Sequence, residues 1–483
     1  HDEQIAVGKP QRHRLALVFL VGKADGKRFP GEHAPAPVRA HIRGRRAAFQ
    51  ALRLPGEQVE RECVEGDEAR AVRAKPQRRR DRAERIAERD SGAEKALHRA
   101  DEHAAVLRGG RALQEGRFRE ASLLFLDILG RNPNLPRVRL ELARAYFLNG
   151  DYEDAQLQFE LVKGSGLPPE VQEKVDEFLT RIRRKKDWNM NFSVALVPDS
   201  NLNQASGGEQ ECIALGGMLL CRPLEKKQSG IGLGVGGVFN HYLRLGRGLG
   251  LHSVVSLDAL EYEQNVFDDY RLFLACGPRL VFDRGEISAR PTFSKRWHAG
   301  RQYSEEYGFR LDAQWTLNRL LLSGGLSWAR IRYDDSYVDE FLRGDSLFSH
   351  IQARYIVNDR TFVQAGLAFQ RERAEAAAYG SDGLRYALGF YRVLPRGFSL
   401  FGELSLTTAR HHEAQWHITR DHRIAETRRN DRTWQVFASL SSNLFEKYNV
   451  TPALQYMYIK RDSNMWAQEY ARQRLNLSFG YRF

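Results

Sequence analysis

Residues 307–317 read Tyr307-Gly308-Phe309-Arg310-Leu311-Asp312-Ala313-Gln314-Trp315-Thr316-Leu317. In an extended chain the odd positions, Tyr307 to Leu317, share one face, and Gly308, Arg310, Asp312, Gln314 and Thr316 share the other. One such segment fits a soluble sandwich as well as a membrane barrel, because each has an apolar face. Number, length and spacing decide. Fourteen segments of this texture run to the end of the chain, near 188–197, 230–243, 250–262, 270–282, 285–296, 304–317, 320–333, 344–356, 360–371, 383–393, 398–407, 432–441, 451–460 and 471–483. Most match the roughly 9–11 residues that a tilted strand needs to cross a bilayer, and an even number is the rule for single-chain bacterial barrels.

Short turns near 244–249, 283–284, 318–319, 357–359 and 394–397 alternate with longer loops near 198–229, 333–343, 372–382, 408–431 and 461–470. Outer-membrane barrels keep short turns on the periplasmic side and long loops outside. The rhythm therefore predicts that Trp188 and Phe483 both lie at the periplasmic edge. Inward residues such as Arg310, Asp312, Gln314, Arg385 and Glu403 are expected to line a polar lumen. Trp188, Trp297, Trp328 and Trp466 fall near strand ends, a position suited to headgroup level. No apolar run of about 18 residues occurs, which excludes membrane-spanning helices but not spanning strands; mean hydropathy is −0.53. The last segment alternates without error through Leu475, Leu477, Phe479, Tyr481 and Phe483. It resembles the carboxy-terminal signal read by the barrel-insertion machinery.

Between about 104 and 186 the period is near 3.6. Gly116 matches Gly150, Phe118 matches Tyr152, Ala121 matches Ala155 and Phe125 matches Phe159, always 34 residues apart. That is the signature of a tetratricopeptide repeat: a Gly turn, a small Ala at the helix approach, and a core aromatic. Such arrays bind extended peptides, and Arg137, Glu141 and Arg144 are candidate groove residues. A solvated helix face is the competing reading of those three.

Residues 1–103 are rich in Arg, Ala, Gly, Pro and Glu. The first hundred hold 23 Lys/Arg and 15 Asp/Glu, a net +8 of the total +13. A basic arm, a disordered segment and an out-of-frame translation all fit this composition. No nucleic-acid partner is expected. The segment 12–22 only faintly resembles a signal peptide, so the export signal is expected to lie outside this sequence.

No cofactor, metal or catalytic constellation is expected. The run Gly230-Ile-Gly-Leu-Gly-Val-Gly-Gly237 lies inside one strand segment and is not a phosphate loop. His411, His412, His417 and His422 fall in the long loop 408–431, where solvation outweighs metal binding. The same loop carries Arg420, Arg423, Arg428, Arg429 and Arg432, which suit lipopolysaccharide phosphates or acidic cargo, although a charged extracellular lid is the preferred reading. Cys212 and Cys221 share the first long loop and are a candidate disulfide. No Gly-x-Ser-x-Gly motif accompanies the many Ser and His residues, so an enzyme is not expected.

Taken together, the Gly116/Gly150 repeat, the junction Trp188-Asn-Met-Asn-Phe-Ser-Val-Ala-Leu-Val-Pro-Asp-Ser-Asn-Leu-Asn203 and the terminal Leu477-Ser-Phe-Gly-Tyr-Arg-Phe483 resemble the surface lipoprotein assembly modifiers, the type XI secretion translocons. The resemblance covers about 104–483. It implies a periplasmic helical repeat (104–186) joined to a fourteen-stranded antiparallel outer-membrane β-barrel (187–483), an α + β multidomain protein. It also implies that lipoproteins or secreted cargo proteins are moved to the cell surface, with outer-membrane lipid and lipopolysaccharide as surroundings. A monomeric barrel is expected. A polysaccharide exporter and a passive porin or uptake channel are the alternatives.

Overall fold

The structure, a computed structural model, describes residues 101–215 and 218–482. The expectations for the first hundred residues and for Phe483 lie outside the described residues.

Among the described residues five α-helices come first: α1 (described over 101–114), α2 (Phe118–Arg131), α3 (Pro136–Asn149), α4 (Tyr152–Val162) and α5 (Pro169–Lys185). Gly116 (φ +77°) and Gly150 (φ +92°) turn the chain between helices in a left-handed conformation that costs glycine little. Ala121, Phe125, Ala155 and Phe159 are fully buried, and Phe118 and Tyr152 pack at the edge of the same core. Phe178 of α5 stacks on Phe159 at 5.0 Å and meets Phe147 edge-on at 5.1 Å, covering the second repeat.

Sixteen strands follow. Fourteen form one closed antiparallel barrel: β1 (Trp188–Asp199), β4 (Gly230–Gly246), β5 (Leu249–Tyr262), β6 (Asp269–Phe282), β7 (Gly285–His298), β8 (Arg301–Leu317), β9 (Leu320–Tyr333), β10 (Gly344–Asn358), β11 (Thr361–Ala374), β12 (Ser381–Val393), β13 (Phe398–Ile418), β14 (Ile424–Ser442), β15 (Val450–Ser463) and β16 (Tyr470–Arg482). They match the fourteen segments of the sequence in order, and β1 closes on β16. The outer wall is apolar, as solvation by lipid requires: Tyr307, Phe309, Leu311 and Trp315 are exposed, as are Leu475, Leu477 and Phe479. The other parity is polar and inward. Tyr481 is half-buried near the end of β16. The glycine run 230–237 lies wholly inside β4.

Two expectations about loops are corrected. Residues 408–431 are not a loop: β13 and β14 continue beyond the rest of the wall as one hairpin, turning only at 419–423. The four histidines are held in it separately. His411 Nδ1 lies 3.0 Å from Ala378 O, His417 Nδ1 3.4 Å from Thr427 Oγ1, and His422 Nδ1 3.2 Å from Cys212 O, while His412 faces Asp382 at 3.4 Å. Secondly, the short-long rhythm is imperfect, because β7 and β8 are joined by Ala299-Gly300 alone at the end opposite the helices. Trp466, expected at headgroup level, instead donates its indole N–H to Ile418 O at 2.8 Å. The first long loop contains a small hairpin, β2 (Gln210–Leu215) and β3 (Met218–Pro223), joined by the Cys212–Cys221 disulfide.

Candidate functional site, the occluded lumen

Helix α4 carries apolar residues on two sides. Ala155, Phe159 and Val162 belong to the helical core. Leu157 and Leu161 point the other way and pack against Leu321, Ile356, Phe362 and Tyr391 of β9–β12. Those four have the inward parity, since their neighbours Val357, Val363 and Phe390 are exposed on the outer wall. The helix therefore sits in the barrel mouth, at the end where β1 begins and β16 finishes. Phe362 stacks on Tyr391 at 4.9 Å, and the Arg354 guanidinium covers Phe362 at 4.5 Å.

Polar contacts complete the seat. Glu160 is buried 3.9 Å from Arg354 and accepts a hydrogen bond from Gln156 Nε2 at 2.6 Å. Burial pushes the Glu160 carboxyl above its ordinary range, and Arg354 and Gln156 oppose that only in part. Burial also pushes Glu153 up, but Lys186 Nζ at 2.8 Å outweighs it, and the carboxyl ends below its usual range.

The other helices hold the rim. Arg119 Nη2 donates to Lys447 O (2.9 Å) and Asn449 Oδ1 (2.8 Å) in the β14–β15 turn. Arg139 lies 3.7 Å from Asp359 in the β10–β11 turn. Gln172 Nε2 reaches Asn318 Oδ1 at 2.8 Å, and Thr180 Oγ1 and Arg184 hold Asp283 at 2.6 and 2.9 Å. Asp187 pairs with Arg244 at 2.8 Å. Gly164 lies so close to the β10–β11 turn that a Cβ there would fall 2.4 Å from Asn358 backbone carbon. Gly164→Leu is expected to unseat this edge. Limited proteolysis should then cut within 163–168, a segment intact in the parent, while far-UV circular dichroism stays unchanged.

Above α4 lies a cavity of about 670 Å³, with Glu153 and Gln156 in its floor and Arg310, Asp312 and Gln314 in its wall. Arg310 Nε donates to both carboxylate oxygens of Asp312 (3.0 and 2.9 Å), which Arg290 also binds. Arg385 and Glu403 are paired at 2.9 Å, both nearly buried, with Gln364 Nε2 3.3 Å from the same carboxylate. All five sequence candidates thus point inward, and the four charged ones fall in two separate clusters. Both signs of charge occur in the wall.

Arg137, Glu141 and Arg144 form one stripe of α3, with Glu141 and Arg144 3.9 Å apart. At 100° per residue this stripe lies about opposite Arg139, the residue that meets the barrel rim. It therefore faces away from the barrel.

Leu157, Leu161, Glu160 and Arg354 were not among the sequence candidates. Local sequence did not mark them: eight of the eleven residues of α4 are buried, and only the barrel wall shows what covers the second side.

Among the described residues no group of three or more His, Cys, Asp or Glu is placed to hold a metal ion. The sequence model for tetratricopeptide repeats matches residues 112–172, and that for the surface lipoprotein assembly modifiers matches residues 188–483. The chain is 22% identical over 389 residues to a surface lipoprotein assembly modifier of Pasteurella multocida (strain Pm70), covering 77% of this chain and 75% of that one. It is 25% identical over 388 residues to surface lipoprotein assembly modifier 1 of Neisseria meningitidis serogroup B, covering 79% and 76%. Among solved structures, in-vitro folded OmpT of Vibrio cholerae aligns with a TM-score of 0.34 at 10% identity, over 62% of this chain and 99% of that one. With its whole barrel matched by the family model, this outer-membrane protein belongs to the surface lipoprotein assembly modifier family.

Proposed function

We propose that this protein is a translocon that delivers lipoproteins, or other secreted cargo, across the outer membrane to the cell surface. In this reading the helical domain stands in the periplasm, the barrel is monomeric, and the lumen is shut at rest. One observation carries it: α4 is seated across the barrel mouth, held by β9–β12 and by the ends of β1 and β16, while α3 of the same domain presents Arg137, Glu141 and Arg144 outward. A module that both covers a pore and offers a peptide-binding face suits a cargo-operated gate. A passive porin has no use for it.

In this reading the work of transport falls to cargo binding and to cargo folding outside. The test is surface display of an epitope-tagged bacterial lipoprotein co-expressed with this protein, read by antibody on intact cells. The charge reversals Arg137→Glu with Arg144→Glu should lower display several-fold while the barrel still runs as a folded species in unheated gels. Undiminished display would remove the groove from the mechanism. Loss of an exported polysaccharide in place of the lipoprotein would favour the polymer exporter.

A further inference from the structure

A lipoprotein that reaches the outer leaflet has to bring its acyl chains with it. A closed cylinder gives those chains no way from the lumen to the lipid, so one ladder has to part. Parting a ladder inside a bilayer leaves N–H and C=O groups without water, and the cost rises with each hydrogen bond broken. The weakest ladder is the natural exit.

That ladder is β1–β16. It is the closure of the barrel, and no turn joins its two strands. Asn191–Leu196 pair continuously with 477–482, pairing then fails at Val197 and Pro198, and it resumes at Asp199 opposite Arg474. Pro198 has no N–H to give. The β6–β7 ladder is also interrupted, near Pro278, but the turn at 283–284 ties that pair together.

Side chains do at this seam what the backbone does elsewhere. At the end far from the helices, Asp199 is fully buried and binds two arginines of β16: Arg472 Nε at 3.0 and 2.9 Å, and Arg474 Nε at 2.8 Å. Ser200 N bonds Gln473 O at 3.0 Å, and Asn201 Nδ2 bonds Ala471 O at 3.0 Å. At the near end, consecutive residues of α4 hold opposite sides of the seam. Glu153 accepts from Asn189 of β1 at 2.6 Å, and Asp154 pairs with Arg482 of β16.

We infer that the β1–β16 seam is the lateral exit for the acyl chains of lipidated cargo, latched outside by Asp199 and clasped inside by Glu153 and Asp154 of the plugging helix. Withdrawal of α4 would open the mouth and release the near end of the seam in one movement. This inference rests on the translocon reading.

Ser478 supplies a matched test, because it pairs with Ala195 across the seam and with Ala453 across the neighbouring wall ladder, and all three are buried. In a background with Cys63→Ser and Cys276→Ser, the pair Ala195→Cys/Ser478→Cys locks the seam and Ala453→Cys/Ser478→Cys locks the wall. Unheated gels check that both barrels are folded. The probe is the same co-expressed epitope-tagged lipoprotein, with and without its lipidated cysteine. The seam lock is expected to abolish display of the lipidated form and reductant to restore it, while the wall lock displays like its parent. The unlipidated form should still emerge past the locked seam. Equal display from both locks overturns the lateral exit and leaves the translocon reading standing. A seam lock that also stops the unlipidated form overturns the assignment to acyl chains. Failure of the uncrosslinked parent to display cargo overturns the translocon reading itself.

Discussion

Leu157→Asp combined with Leu161→Asp should unseat α4 from the barrel mouth and raise the conductance of the pore sharply. Both side chains are at most 2% exposed, and each contributes about 1.5–3 kcal/mol by leaving water. The exposed ion pairs at the rim, such as Asp187–Arg244, contribute only about 0–1 kcal/mol each. The apolar seat is thus a main support of α4, beside the buried Glu160–Arg354 pair. Two unpartnered carboxylates there add a desolvation penalty of at least several kcal/mol, enough to reverse the equilibrium. In planar bilayers the mean single-channel conductance is expected to rise about tenfold or more, toward that of a fourteen-stranded ring. Leu148→Asp is the control, since Leu148 is 41% exposed on α3 and its replacement should change nothing. An unaltered trace from the double variant would mean that the lumen is blocked elsewhere.

The second large effect concerns Asp199. Its carboxylate is the shared partner of Arg472 and Arg474, whose side chains are 7% and 2% exposed. Asp199→Ala removes the shared carboxylate from two buried guanidinium groups. Removing one partner of a buried pair costs about 3–5 kcal/mol, and here one deletion strips two arginines. At roughly 2–4 °C per kcal/mol for a domain of this size, unfolding should move down by about 10 °C. The shift from compact to unfolded mobility in gels, recorded against temperature, measures it. Arg371 and Asp382 form a comparable but half-exposed pair in the same wall, and Asp382→Ala should shift the midpoint much less. Equal shifts would show that Asp199 is an ordinary surface charge.

The barrel was legible because a bilayer imposes a strict rule on each strand: alternate residues meet lipid. Tyr307 to Leu317 obeys it, and so do the other thirteen segments. The rule lapses above the membrane, where both faces of a strand meet water or protein. That is why β13 and β14 were cut short at 407 and 432, although the hairpin runs on through Arg410, Trp416 and Arg428. The repeat was legible through its 34-residue spacing. The occlusion of the lumen was not, because Leu157 and Leu161 read as part of an ordinary amphipathic pattern until the barrel wall that covers them is known. Asp199 was noticed only as part of a resemblance, and nothing local marks it as the partner of residues 273 and 275 positions away.

The bond from Asp154 to Arg482 spans 328 positions and joins an early helix to the final strand. Asp154 can gain this partner only when β16 lies beside β1. Setting the last hairpin in place and fastening the helix to the seam are therefore one event.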